Sequence, residues 1–374
     1  MAQQQKDVGN SMQAANKIID EIILSDLVNS IPPSKRETHA NRQNRAKRQD
    51  SRRFVSIFNR EEVVKVSRER SSDEHSAELS KLSKEQDMKP LVEARERHLK
   101  RLSYLKQKFP NFKSVIELYE MSLAMALHTA KKSIQMRPLL LIGPPGVGKT
   151  RFLLELSKAL GCDFYKIDMS SVTAGFVLSG NTSQWGGSKP GFVSQSLRNS
   201  KVANPIFFVD EIDKTRAYGS SNPLNAFYTL FEKHAANAFL DEYLNVHFDC
   251  SYINWLASAN YIENIEAAIL SRMQVIHIDM PSDKEAQVIA QSIYDELLEH
   301  KEWLPLFESK LSKAVLTKMA GISPRQMSQV IEVACQRRFT RSKWKPGRNK
   351  LRLQANDIVI PCVSNKTRIG FVHE

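Results

Sequence analysis

Apolar residues along this chain follow two patterns. Between residues 139 and 278 they gather in five short, nearly uninterrupted runs, at 139–142, 164–167, 206–209, 254–259 and 275–278. Helical segments separate these runs. Short strands apolar on both faces and interleaved with helices predict a five-stranded parallel sheet with helices on either side. Outside that region the apolar positions recur at helical spacing. Residues 14–31 read as a short amphipathic helix, and 109–132 as an apolar helix leading into the first strand. Residues 32–53 are polar and basic, which suits a linker. From 76 to 108 Leu, Glu, Lys and Arg dominate, as on a solvent-exposed helix or helix pair. After Pro281 the pattern is helical again. Ser282 and Glu285 form a capping box, and further helices are expected around 310–319 and 323–338.

Composition adds limits rather than a fold. A chain of 374 residues with 41% apolar and 25% charged positions has room for two or three globular domains. No apolar run approaches the roughly 20 residues of a membrane span, so no membrane association is expected. The start, "MAQQQKDVGNSMQAANKIIDEII", has neither the basic opening and apolar stretch of a secretory signal nor the acid-poor character of a mitochondrial presequence. A cytoplasmic location is the expectation. Cys162, Cys250, Cys335 and Cys362 lie far apart with no C-x-x-C pair, which argues for reduced thiols and against a zinc or disulfide framework. The net charge is +13, of which residues 1–110 carry +7, and 337–352 contains no acid. Such charge attracts nucleic acid or an acidic protein, or simply forms a solvated surface.

The candidate chemistry lies at the ends of the predicted strands. "GPPGVGKT" (Gly143, Pro144, Pro145, Gly146, Val147, Gly148, Lys149, Thr150) fits G-x-x-x-x-G-K-[ST] in full, with a strand before it and a helix after it. The glycines let successive backbone amides curl round phosphates, and the helix N-terminus adds its dipole. Lys149 is suited to the β- and γ-phosphates of ATP, and the Thr150 hydroxyl to Mg²⁺. About 60 residues on, "PIFFVDEIDK" ends a strand in Asp210 and Glu211. Asp210 is placed to hold Mg²⁺ through water, and Glu211 to polarise the attacking water. Asn260, at the end of "INWLASAN", is adjacent if its strand lies between those two, and its amide then orients the lytic water. Arg272, just before the last strand, suits an arginine finger that reaches the γ-phosphate of another subunit. The loop "GNTSQWGGSKPG" is marked as exposed by its flanking Gly and Pro, yet carries Trp185 beside Gly186.

With these motifs in place, residues 139–338 resemble the AAA+ ATPase module of Lon-type proteins. The resemblance rests on "LLLIGPPGVGKT", "NPIFFVDEIDK", "FLDEYLNVHFDCSYINWLASAN", "AAILSRMQVIHI" and "GISPRQMSQVI", which follow one another in the family's order and spacing. It implies a P-loop α/β domain at 109–280 and a helical lid at 281–340, to which composition adds a basic tail at 341–374 and a basic, helical and partly disordered region at 1–108. It implies Lys149 and Thr150 as Walker A, Asp210 and Glu211 as Walker B, Asn260 as sensor 1, Arg272 as the arginine finger and Arg325 as sensor 2. It also implies a homo-oligomeric, hexameric ring acting on a protein substrate or effector. Trp185 and Gly186 take the place of the family's pore loop, where Tyr is commoner than Trp, and Phe239 and Tyr243 that of a second pore loop. The departures are a first hundred residues unlike the family's substrate-recognition domain, and only 49 residues after Arg325, which is short of a peptidase domain. The expectation is therefore an ATPase that remodels a protein without cutting it. The alternatives are a nucleic-acid-associated ATPase, with the basic N-terminal region as anchor, or a nucleotide-state switch for an effector in a defence system.

Overall fold

The computed structural model describes residues 54–69, 73–130, 132–181, 188–215, 222–342, 344–345 and 349–360. The helix expected at 14–31, the linker at 32–53, Trp185, Gly186 and Cys362 lie outside the described residues. The described residues open with strand β1 (Phe54–Ser56), helices α1 (Arg60–Glu69) and α2 (Asp73–Lys84) and strand β2 (Met88–Pro90), which pairs antiparallel with β1. Helices α3 (Glu96–Lys108) and α4 (Lys113–Leu127) lead to the central sheet. That sheet comprises β3 (Leu139–Ile142), β4 (Phe164–Asp168), β5 (Ile206–Asp210), β8 (Asn254–Ala259) and β9 (Gln274–His277), with α5 (Lys149–Leu160) after β3 and α6 (Phe192–Asn199) before β5. A small antiparallel hairpin, β6 (Phe239–Asp241) and β7 (Val246–Phe248), stands apart from it. Helices α7 (Asp283–His300) and α8 (Pro324–Ser342) carry the C-terminal helical part.

The five strands are parallel in the order β4-β5-β8-β3-β9, as the uninterrupted apolar runs predict. The period of two divides each run between two cores. Leu139, Leu141, Ile206 and Phe208 pack with α3, α4 and α5, whereas Leu140, Ile142, Phe207 and Val209 face the opposite side. A third cluster, built on Ala290, Tyr294, Met327 and Ile331, holds the C-terminal helices together. The capping box expected at Ser282 and Glu285 starts α7.

Two expectations need correction. The boundary drawn at 108/109 does not coincide with a break in packing. Ile57, Phe58, Val63, Leu79 and Leu82 are buried in the same cluster as Phe207 and Trp255, and α3 packs in the same cluster as α5. The attachment is polar as well: the nearly buried Arg198 guanidinium, at the end of α6, pairs with Glu78 and Glu85, and Lys89 donates to the carbonyls of Arg198 and Ser200. The charged character of 73–108 therefore reflects ion pairs within the fold as well as solvated faces. Phe239 and Tyr243 do not form a projecting loop. They are only 5% and 6% exposed, and Tyr243 meets the His75 ring edge-on.

The hairpin has another task. Asp241, fully buried, accepts hydrogen bonds from the amides of Gly191, Tyr243 and Leu244 and from the Ser194 hydroxyl. Gly191 marks the end of the tryptophan loop and Gly180 its start. A Cβ on Gly180 would stand 2.8 Å from Asp241 Oδ1, and one on Gly191 2.3 Å from the Leu178 carbonyl oxygen. These glycines are needed because the two limbs of the loop cross closely at its neck.

His98, buried on the third position of α3, accepts a hydrogen bond from the Arg95 amide through Nδ1. Burial, reinforced by Arg97, Arg101 and Arg95, pushes its imidazole from the ordinary 6.5 down to about 4. The folded state thus disfavours the proton that the unfolded state takes up below pH 6.5. This contribution to stability is full above that pH and is lost as the pH falls towards 4. The Tm of the wild-type protein should fall more steeply from pH 7 to 4.5 than that of His98→Gln. Parallel melting curves across that range would show that His98 is not responsible.

Candidate functional site

The sheet order sets the site. Strand β8 lies between β5 and β3, with Ile142 beside Ala259 and Val209 beside Ala257. Residues just past these pairs, Gly143, Asp210, Ser258 and Asn260, therefore meet at one edge, where ligands bind in open α/β sheets. β3 runs into Gly143–Thr150, and Gly146 and Gly148 adopt the left-handed region, with φ of 80° and 104°. Gly143 is required for space, since a Cβ there would lie 2.3 Å from the Ile278 carbonyl oxygen. The loop then enters α5 at Lys149, so the first-turn amides, which lack intrahelical partners, are available to an anion.

Lys149 is only 9% exposed. Its Nζ donates to the carbonyls of Gly143 and Ala259 and, at 3.0 Å, to Asn260 Oδ1. Burial lowers the ammonium pKa, opposed in part by Asp210, Asp213 and Glu211. The acceptors that Nζ touches are neutral, so an incoming phosphate is a stronger partner than any of them.

Asp210 is shared among three neighbours. Ser258 Oγ donates to its Oδ1 at 2.5 Å, Thr150 Oγ1 lies 3.4 Å from Oδ2, and Lys166 Nζ pairs with Oδ2 at 2.6 Å. Glu211 has a left-handed backbone, φ 55°, a strained conformation for a non-glycine residue. Its amide donates to Ser258 Oγ and its carboxylate pairs with Lys214 at 2.8 Å. Asn260 is fixed through its own amide, which donates, with that of Tyr261, to Asp213 Oδ2 at 3.1 Å. Thr150 and Asp210 thus present two close oxygen donors. This fits Mg²⁺, which takes one or two protein oxygens and fills its octahedron with phosphate oxygens and water.

Arg325 arrives from the other side. Its backbone N–H, at the start of α8, donates to the Gly146 carbonyl at 3.2 Å, and a Cβ on Gly146 would press on Ser323 Oγ at 3.2 Å and Arg325 Cβ at 3.3 Å. The phosphate loop and the helical part enclose a cavity of about 470 Å³, lined by Lys149, Thr150, Asp210, Glu211 and Asn260 on one wall and by Ile293, Leu297 and Arg325 on the other. Phe109 and Asn111 contribute from the α3–α4 turn. Glu296 crosses the junction to pair with Lys108 at 2.5 Å and with Arg151.

The expected residues Gly146, Lys149, Thr150, Asp210, Glu211, Asn260 and Arg325 therefore converge. Arg272 does not: it is not among the residues lining the cavity, and it pairs with Glu232. Sequence reasoning missed Ser258, Asp213 and Lys166. Ser258 carried a signal, as the one hydroxyl in the buried run "NWLASA". Asp213 and Lys166 have none that separates them from surface charge. The apolar wall of Ile293 and Leu297 was hidden because helical spacing alone assigns both to the core.

A glycine loop opening a helix, an Asp-Glu pair on the neighbouring strand end and an arginine from a helical part, all on one cavity, define a P-loop nucleoside-triphosphatase module. Residues 139–280 match the family "ATPase family associated with various cellular activities (AAA)". Within that class the module is of Lon type. The Lon protease of Mycoplasma mycoides subsp. mycoides SC is 34% identical over 167 residues, 45% of this chain and 21% of that protein. The Lon proteases of Mycoplasma genitalium and Dictyoglomus thermophilum are 32% and 31% identical over 218 and 216 residues. These alignments cover 56% and 55% of this chain, and 27% of each relative. The chain thus spans about a quarter of the length of these curated relatives. In fold it resembles a chain of an S. cerevisiae Hsp104:casein complex in an extended conformation. The TM-score is 0.54 and the identity 15%, over 67% of this chain and 49% of that one.

Ser258→Ala removes the hydroxyl that orients Asp210 and the Glu211 amide. The apparent Mg²⁺ affinity of the nucleotide complex should fall by about 10–100-fold, the usual loss when a ligand's supporting hydrogen bond is removed. A Mg²⁺ titration of nucleotide binding checks this, and an unchanged midpoint would assign Ser258 to packing alone.

Proposed function

We propose that this protein is a ring-forming ATPase that couples ATP hydrolysis to remodelling or threading of a protein partner. The observation that supports it best is the cavity itself, bounded by the phosphate loop on one wall and by Arg325 and α7 on the other. A nucleotide held there touches both walls, so its γ-phosphate, present or lost, changes how the helical part sits on the sheet. Lys149 and the loop amides bind the phosphates, and Arg325 senses the γ-phosphate from the lid. Mg²⁺, when bound by Thr150 and Asp210, withdraws charge from the phosphate oxygens. Glu211 accepts the proton of the attacking water and Asn260 orients that water. Arg272 serves the neighbouring subunit, in keeping with its absence from the lining of its own cavity. The relatives are named as proteases, whose substrates are polypeptides, and Trp185 is assigned to grip such a chain.

A second reading has one observation in its favour. Arg341, Lys345, Lys350 and Arg352 are exposed around the end of α8, where Trp344 tilts against Phe339 with centroids 6.1 Å apart. Cations beside aromatic rings suit single-stranded nucleic acid. That reading requires binding that weakens steeply with salt, and ATPase activity that responds to DNA or RNA.

Glu211→Gln should lower kcat by about 10²–10⁴-fold, the usual contribution of a general base, and should trap with ATP as a particle several subunits in mass. A strictly monomeric trapped particle would sink the ring. Trp185→Ala should keep basal ATPase activity and lose its stimulation by an unfolded protein. Full stimulation in that variant would reject threading.

A further inference from the structure

Arg272 is engaged on its own subunit through both terminal nitrogens. Its Nη2 pairs with Glu232 Oε1 at 2.7 Å, its Nη1 donates to the Ala268 carbonyl at 2.7 Å, and the guanidinium carbon lies 5.4 Å from the centre of the Tyr228 ring. The holder is itself held. Tyr228 donates its hydroxyl to Glu266, which also accepts from Asn222 Nδ2 at 3.2 Å, and the second Glu232 oxygen meets His234 Nε2 at 3.2 Å. The arginine side chain retains 26% exposure. Both terminal nitrogens, those a guanidinium offers to a phosphate in a two-pronged contact, are thus occupied by acceptors of the same chain. The third nitrogen, Nε, is buried without a hydrogen-bond partner, so the arrangement satisfies the group only in part.

From this we infer that Glu232 is a positioning residue that parks Arg272, with Tyr228 as the surface it parks on. The inference rests on the reading of Arg272 as a finger acting on the neighbouring subunit. The parked state keeps the guanidinium off a site that holds no nucleotide. A neighbour's γ-phosphate, carrying more charge than one carboxylate and offering several acceptor oxygens, draws it away. Glu232 therefore sets how readily the finger is delivered. Weakening the pair leaves the guanidinium, its Ala268 contact and its ring contact intact, and raises the fraction of time that Arg272 is free to cross.

The test separates donor from acceptor by mixing two full-length variants. Arg272→Ala subunits keep a complete cavity but lack the finger, and Glu211→Gln subunits keep the finger but do not turn over. ATPase activity of the mixture, absent from either variant alone, measures finger delivery in trans. Placing Glu232→Gln in the Glu211→Gln donor should raise that activity by about two- to five-fold, the range for loss of a partly exposed ion pair. The KM for ATP should not change. A structural defect in a subunit that performs no turnover cannot speed its neighbour, so an increase is specific to release of the finger. Glu232→Ala in the same donor should act in the same direction, and guards against a defect peculiar to the glutamine. Equal or lower activity with both donors would overturn the parking role while leaving the finger intact. Wild-type turnover by Arg272→Ala alone would instead reject the finger, and with it the parking role.

Discussion

A buried ammonium holds the centre of this protein together. Lys149 Nζ binds the Gly143 carbonyl at one end of the phosphate loop, the Ala259 carbonyl at the end of β8, and the amide oxygen of Asn260. Two segments some 110 positions apart in sequence are thereby fixed around one charge, and the pairing of β3 with β8 is what allows them to meet. Burial makes that charge costly, as its lowered pKa reflects, and the carboxylates of Asp210, Asp213 and Glu211 offset the cost without direct contact. A phosphate at the loop would take the Lys149 protons from neutral oxygens, of which the Ala259 carbonyl also accepts from the Gly143 amide. The loop is pre-arranged for an anion because the protein supplies only weak substitutes for one.

The helical part depends on the same loop from the opposite side. Gly146 is left-handed and carries no side chain, which lets the Arg325 amide reach its carbonyl. Around the rim, Glu296 of α7 joins Lys108 and Arg151, and Glu155 lies within ion-pair reach of both. Burial alone would lower the Lys108 pKa, but Glu296 overrides it and holds the ammonium above its usual value. These contacts are polar and partly exposed, whereas each part keeps its own apolar cluster. A junction of this kind can open and close without disrupting either core.

Much of this was legible in the sequence because strand β5 and strand β3 are apolar on both faces, and because the phosphate loop carries its own geometry in its glycines. What was not legible depended on contacts between distant residues. The segment from Phe54 to Pro90 reads as charged and separate, yet Glu78 and Glu85 are charged in order to meet Arg198, some 110–120 positions away. The resemblance gives Phe239 and Tyr243 the place of a second pore loop, but a three-residue hairpin strand and the His75 ring take them into the core. Gly180 and Gly191 read as marks of an exposed loop. Their actual constraint is a close crossing over the buried Asp241, which a linear pattern does not reveal.

The same reasoning explains why Arg272 sits where it does. A guanidinium near its own cavity would add to the positive charge of Lys149, Arg325 and Lys166, and would compete with Mg²⁺ for Asp210. Tied instead to Glu232 and the Tyr228 ring, it is neutralised locally and costs the nucleotide site nothing. On the proposed finger role, exchanging Glu232 for a phosphate would replace one charge-assisted pair with another, so the transfer would involve a small free-energy difference between two large interactions. Small differences are easily biased by the spacing between neighbouring subunits. A site completed from the next subunit is therefore sensitive to assembly geometry in a way that a site complete within one chain is not.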